Sequence, residues 1–158
     1  MEQKVVSNQM HIAIKDSKID ITSEKLTKEL AKQFTKYLKG GEFVFLYGEM
    51  GVGKTTFVKY FINEYQKINN LTPTEITSPT FSLLNEYQVK NIRIKHYDLF
   101  RINRKEDINN LDIFEKDKKL ITLIEWPQLL TDTQNIKSIH LTFNYLNDLN
   151  DRSVDIKV

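Results

Sequence analysis

The 158-residue sequence is 40% hydrophobic, enough for one domain with a buried core spanning residues 1–158. Its 23 Lys and Arg against 21 Asp and Glu leave a formal charge of +2, which permits contact with tRNA or another polyanion without demanding it. The absence of cysteine excludes disulfides and thiolate metal sites; no apolar signal-peptide run or membrane span is seen, so a cytoplasmic protein with no membrane partner is expected.

Met10 to Ile14, with Ile19 to Ile21, reads as an opening strand or ribbon. Ser23 is placed as the N-cap of a helix whose Leu26, Leu30, Ala31, Phe34, Tyr37 and Leu38 form an apolar stripe. Two readings of Ser23 stand side by side: an ordinary cap, or a cap that also touches a nucleotide. Gly40-Gly41 ends the helix. Phe43 to Tyr47 is then a short apolar run suited to a buried strand. It runs into Gly48-Glu49-Met50-Gly51-Val52-Gly53-Lys54-Thr55, a full match to G-x-x-x-x-G-K-[ST], followed by Thr56. A helix follows, with Phe57, Tyr60 and Phe61 on one face. Strand, glycine loop and helix together are the setting of a phosphate-binding loop. Glycines let successive N–H groups turn inward around phosphate oxygens, and the helix adds its positive end. Lys54 would reach the β- and γ-phosphates and Thr55 would ligate Mg²⁺.

Residues 68–75 form a polar connection containing Pro73. Thr77-Ser78-Pro79-Thr80 crowds hydroxyls into a turn, which suits either a phosphate-sensing loop or an ordinary Ser-Pro turn. Phe81 to Val89 and Ile92 to Leu99 read as a hairpin turning at Lys90-Asn91. Period-2 alternation in its second strand puts His96 and Asp98 on one face and Lys95 and Tyr97 on the other. Arg101 to Lys118 is polar and helical in part. Leu120 to Ile124 is a buried strand delivering Glu125, and Ile136 to Tyr145 with Ser153 to Val158 makes a closing strand pair.

Two carboxylates compete for the metal and water roles. Glu125, at the end of an apolar strand, suits binding Mg²⁺ or orienting a water, as the second motif of phosphate-loop NTPases does. Asp98 suits activating the attacking water. His96 reads as a packed or hydrogen-bonded histidine, Trp126 as packing, and Arg101 and Arg104 as surface. No D-x-x-G follows the loop and no N-K-x-D occurs, so ATP is favoured over GTP. A small-molecule kinase acting on a nucleoside or sugar remains the alternative, although no arginine-bearing lid is evident.

Four motifs in order resemble the TsaE (formerly YjeE) family, the ATPases of bacterial tRNA threonylcarbamoyladenosine biosynthesis. Gly48 to Thr56 is similar to its G-D-L-G-A-G-K-T-T, with Glu49-Met50 and Val52 as departures. Ser78-Pro79-Thr80-Phe81 with Asn85-Glu86-Tyr87 matches its S-P-T-[FY] loop and strand. His96-Tyr97-Asp98-Leu99-Phe100-Arg101 is similar to H-x-D-L-Y-R, and Glu125-Trp126 matches its E-W. The resemblance covers roughly residues 21–156. It implies an α/β phosphate-loop domain with a central mixed sheet including antiparallel hairpins. It implies ATP or ADP and Mg²⁺ as cofactors, with Thr55 and Glu125 on the metal and Asp98 assisting hydrolysis. It also implies work with the proteins TsaB and TsaD, reaching tRNA indirectly: TsaD transfers the threonylcarbamoyl group, and the ATP cycle supports turnover.

Overall fold

The computed structural model describes residues 17–158, and the strand expected over Met10 to Ile14 lies outside the described residues. Strand β1 (Ser17–Asp20) leads to helix α1 (Glu24–Tyr37). The Ser23 hydroxyl accepts the Leu26 amide at 3.2 Å, satisfying a donor that the first helical turn leaves free. The apolar stripe of α1 buries Leu30, Ala31 and Phe34. Its far end is tied by a residue with no signal in the sequence pattern: the buried Glu42 carboxylate accepts the amides of Lys39 and Gly40, at 3.1 and 2.7 Å. Gly40 has φ +125°, and a Cβ there would collide with the Lys118 carbonyl oxygen, so only glycine fits.

After β2 (Phe43–Tyr47) the chain enters α2 (Lys54–Ile68), then the hairpin β3 (Leu84–Val89) and β4 (Ile92–Asp98). The hairpin turns at Lys90, in the left-handed region at φ 57°. Strand β3 begins three residues later than the pattern of Phe81 to Val89 suggests. Leu83 sits at φ 67° and its amide bonds back to the Pro79 carbonyl at 2.7 Å, so Thr80 to Ser82 form a turn and Phe81 is left 83% exposed. Helix α3 (Lys105–Ile108) runs into a 3-10 turn at Asn109–Leu111, and β5 (Leu120–Glu125), β6 (Ser138–Tyr145) and β7 (Arg152–Lys157) complete the described chain.

All seven strands join one mixed sheet in the order β1-β7-β6-β2-β5-β4-β3. The central four, β6-β2-β5-β4, are parallel, and antiparallel strands close both edges. One face packs against α1 and α2 through Phe34, Phe57, Phe61, Leu123 and Leu141, with the Phe34 and Phe57 rings edge to face at 5.3 Å. The other face buries Phe43, Phe45, Tyr97, Ile108, Ile113 and Ile124. The polar segment 101–118 is held on this second face by charge and hydrogen bonds: Lys95 Nζ meets Glu115 at 2.7 Å and the Tyr97 hydroxyl donates to the Leu111 carbonyl at 2.9 Å. Lys95 and Tyr97 thus serve one face of β4, leaving His96 and Asp98 for the other. Register places Leu46 and Asp98 on either side of Glu125, so the carboxyl ends of β2, β5 and β4 meet at one edge, where open parallel sheets bind ligands.

Candidate functional site

The loop 48–53 springs from that edge. At Gly48, φ is 141°, and a Cβ would lie 2.7 Å from the Phe143 carbonyl oxygen; the loop turns there only because the residue is glycine. Val52 is buried and anchors the loop, while Met50 stands exposed at its tip. Gly53 is the N-cap of α2 and supplies no side-chain cap, so the amides of the first helical turn are left for an anion.

Lys54 is 5% exposed. Its ammonium donates to the carbonyls of Gly48 and Glu49 and sits 3.8 Å from the centroid of the Trp126 ring, a cation–π contact. Burial pulls its pKa down, with Glu125 and Asp98 pulling the other way. Trp126 takes the left-handed conformation, φ 58°, immediately after β5 and stacks at a tilt on Phe100, centroids 4.9 Å apart. The pattern of residues gave packing for Trp126; its role as a shelf for the lysine comes from that turn.

The Thr55 hydroxyl donates to Glu125 Oε1 at 2.6 Å. Glu125 is 1% exposed; burial raises its pKa, but His96, the Thr55 hydroxyl and Lys54 outweigh burial and keep it below the ordinary range. Asp98, its cross-strand neighbour, is 4% exposed and pushed the opposite way, chiefly by burial, although the Phe100 amide at 3.0 Å and the Thr80 hydroxyl at 3.2 Å oppose it. Ser78 reaches the same carboxylate at 3.4 Å and bonds to Thr80 at 2.8 Å. The hydroxyl-rich turn therefore hangs on Asp98. Two adjacent carboxylates driven apart in pKa are suited to different tasks, one staying ionised and one ready to take a proton.

These groups enclose a cleft of about 330 Å³ whose walls include Gly53, Lys54, Thr55, Ser78, Asp98 and Glu125. Met50, Gly51 and Thr56 also line it; Gly48, Glu49 and Val52 shape the loop behind. Ser23 does not line this cleft. It caps α1 at the same end of the sheet, beside the Ile21–Arg152 backbone bond of 3.0 Å. Arg104 pairs with Asp107 at 3.1 Å, and the Arg101 guanidinium lies 4.2 Å from the exposed Phe81 ring. Among the described residues no cluster of three or more His, Asp or Glu could cage a metal. A hydroxyl and one ionised carboxylate sharing a 2.6 Å contact fit Mg²⁺, which keeps waters and leans on substrate phosphates rather than a protein cage.

Comparison with known proteins agrees with this geometry. The profile of the family described as "Threonylcarbamoyl adenosine biosynthesis protein TsaE" matches residues 21–154. The chain is 37% identical over 137 residues to a Rickettsia typhi protein named "tRNA threonylcarbamoyladenosine biosynthesis protein TsaE", covering 87% of this chain and 92% of that one. An Aquifex aeolicus protein of the same name is 36% identical over 108 residues, covering 68% and 74%. The crystal structure of Bacillus subtilus YdiB superposes with a TM-score of 0.70 at 24% identity, covering 91% of this chain and 86% of that one, a likeness of fold. A phosphate loop in a mixed α/β sheet, the carboxylates of β4 and β5 beside it, and a profile match across nearly the whole described chain have one reading: the chain belongs to the TsaE family.

Proposed function

We propose that this chain is one Mg²⁺-dependent ATPase domain that binds ATP and ADP. Its role is as a cytoplasmic accessory protein of tRNA threonylcarbamoyladenosine biosynthesis, with TsaD and TsaB as partners and tRNA reached through them. The observation that carries the catalytic part is the 2.6 Å contact between Thr55 and Glu125 at the mouth of a glycine loop, with Asp98 paired across the strand. The pathway rests on the names of the relatives.

The amides of the loop and of the first turn of α2, with Lys54, take the phosphate oxygens; Thr56 lines the same cleft, and Ser23 keeps its place as the cap of α1 outside it. Thr55 and Glu125 hold Mg²⁺, which when bound neutralises charge on the terminal phosphates. Asp98, with its carboxyl raised, accepts a proton from the attacking water, while Thr80 and Ser78 fix its orientation. Lys54 leaves its two carbonyls when phosphates offer a stronger partner.

The test is phosphate release from ATP by the chain alone, with TsaB and TsaD, and with nucleoside and sugar acceptors. Hydrolysis stimulated by the complex is expected. Stoichiometric phosphorylation of a small acceptor, without stimulation by the complex, overturns the reading in favour of a kinase.

A further inference from the structure

His96 has no exposed surface, and neither of its ring nitrogens has a hydrogen-bond partner. It occupies β4 two residues before Asp98, opposite Leu123 of β5, so it lies on the sheet face of α2 directly behind the cleft. Its same-face neighbours are the aliphatic Ile94 and Leu123 and two polar side chains bonded elsewhere, Asn85 of β3 to Thr77 and Asp98 to Thr80 and the Phe100 amide. An imidazole that only filled space there would leave two polar atoms stranded where a leucine would leave none. Among the described residues one carboxylate comes within 4 Å of its ring nitrogens: Glu125 Oε2 stands 3.7 Å from Nε2. The other carboxylate oxygen, Oε1, is already engaged by Thr55.

We propose that His96 is a positioning residue for Glu125: its Nε2–H takes Oε2 from behind and so presents Oε1 to Thr55 and the cleft. The inference rests on the reading of Glu125 as a Mg²⁺ ligand. The alternatives for the ring proton are worse. A proton on Nδ1 strands a buried donor and turns the Nε2 lone pair toward a carboxylate. A doubly protonated ring strands the same Nδ1–H. With the proton on Nε2 only an acceptor is left over, and the 3.7 Å gap closes by a small turn of the carboxylate about its soft terminal torsion. Imidazoles and carboxylates orienting one another behind a metal commonly set metal affinity.

The experiment compares wild type with His96→Leu, His96→Gln and His96→Asn, reading the Mg²⁺ concentration needed for half-maximal tightening of ADP binding by calorimetry. Nitrogen NMR of the nucleotide-free chain assigns the tautomer independently. A glutamine amide reaches the position of Nε2 and an asparagine amide that of Nδ1. His96→Leu is expected to keep its thermal midpoint and its Mg²⁺-free ADP affinity while its Mg²⁺ requirement rises about tenfold or more. His96→Gln should return it to within about threefold of wild type and His96→Asn should not. An unchanged Mg²⁺ requirement in His96→Leu, equal rescue by asparagine, or a proton found on Nδ1 overturns the proposal. If His96→Leu does not fold, the glutamine–asparagine contrast and the tautomer decide. An unaltered Mg²⁺ requirement in Glu125→Gln removes instead the assignment of Glu125 to the metal, while the tautomer still reports on His96.

Discussion

Asp98 and Glu125 face each other across two parallel strands, yet their surroundings drive their protonation apart. The raised Asp98 carboxyl binds its proton more tightly folded than unfolded, so its contribution to stability falls as pH climbs from the ordinary aspartate value of about 3.9 through the raised folded one. In the nucleotide-free protein Asp98→Asn should therefore gain thermal stability over wild type as pH rises through that window. A melting series by pH checks this, and a constant difference would remove the argument. Glu125, held low, has the opposite sign: its stabilisation is lost as pH falls toward its folded value. Asp98→Ala and Glu125→Ala should each cut hydrolysis at least about tenfold with nucleotide still bound. A wild-type rate in either shows that the residue has another job. Lys54→Ala should weaken nucleotide affinity by about 3 kcal/mol, a cation beside phosphate having been removed; calorimetry on the folded variant is the measure. That Lys54, Thr55, Glu125 and Asp98 line one cleft follows the sequence motifs, because each sits in a short pattern whose geometry is local. The hanging of Ser78 and Thr80 on Asp98, and the isolation of His96, depend on the register of β4 against β5 and on a turn folding back, neither of which a linear pattern contains.

Strand β5 ends by throwing Trp126 into a left-handed turn that places its ring under the Lys54 ammonium. Drawing the ammonium onto phosphates changes the field on the indole, so Mg–nucleotide should alter the emission of the only tryptophan in the chain. A saturable calorimetric titration with silent fluorescence would show that the lysine stays put. The turn after α1 invites a separate measurement. Gly40→Ala forces a Cβ against backbone at φ +125° and should cost about 3 kcal/mol, lowering the melting temperature by roughly 6–12 °C while leaving nucleotide affinity intact. At this scale β2, α2, β5 and the hairpin were readable, since apolar period and turn residues coincide in them. The late start of β3 was not, because Leu83 takes a positive φ that its side chain does not advertise. Nor was the pairing of β1 with β7, which joins the two extremes of the described chain, because it depends on partners more than 130 residues apart.

Across the whole molecule, the cleft is built from one side only. Loop, lysine and carboxylates are present, but among the described residues nothing folds over them; Met50 stands uncovered at the cleft, and Phe81, next to the lining Thr80, is uncovered too. Arg101 is stacked on Phe81, so among the described residues Lys54 is the cation lining the cleft, and no arginine stands there for the charge that develops during transfer. Hydrolysis alone should be slow. Addition of TsaB and TsaD should accelerate it by roughly 10³-fold if they donate a group, and by less if they only order the Ser78 to Phe81 turn. Steady-state phosphate release with and without both proteins decides, and identical rates would mean that the site is already complete.

The sheet order carries a consequence for how the chain comes into being. The β3–β4 and β6–β7 pairs are local hairpins and can zip within microseconds, but β2 finds both its partners, β5 and β6, only far downstream. During synthesis Phe43 to Tyr47 must wait, unpaired and apolar, until the ribosome has passed Leu120, several seconds at ordinary elongation rates. The nascent chain spends that interval with an apolar strand bare, which makes β2 a stretch through which a chaperone would grip it and an overproducing cell would lose it to inclusion bodies.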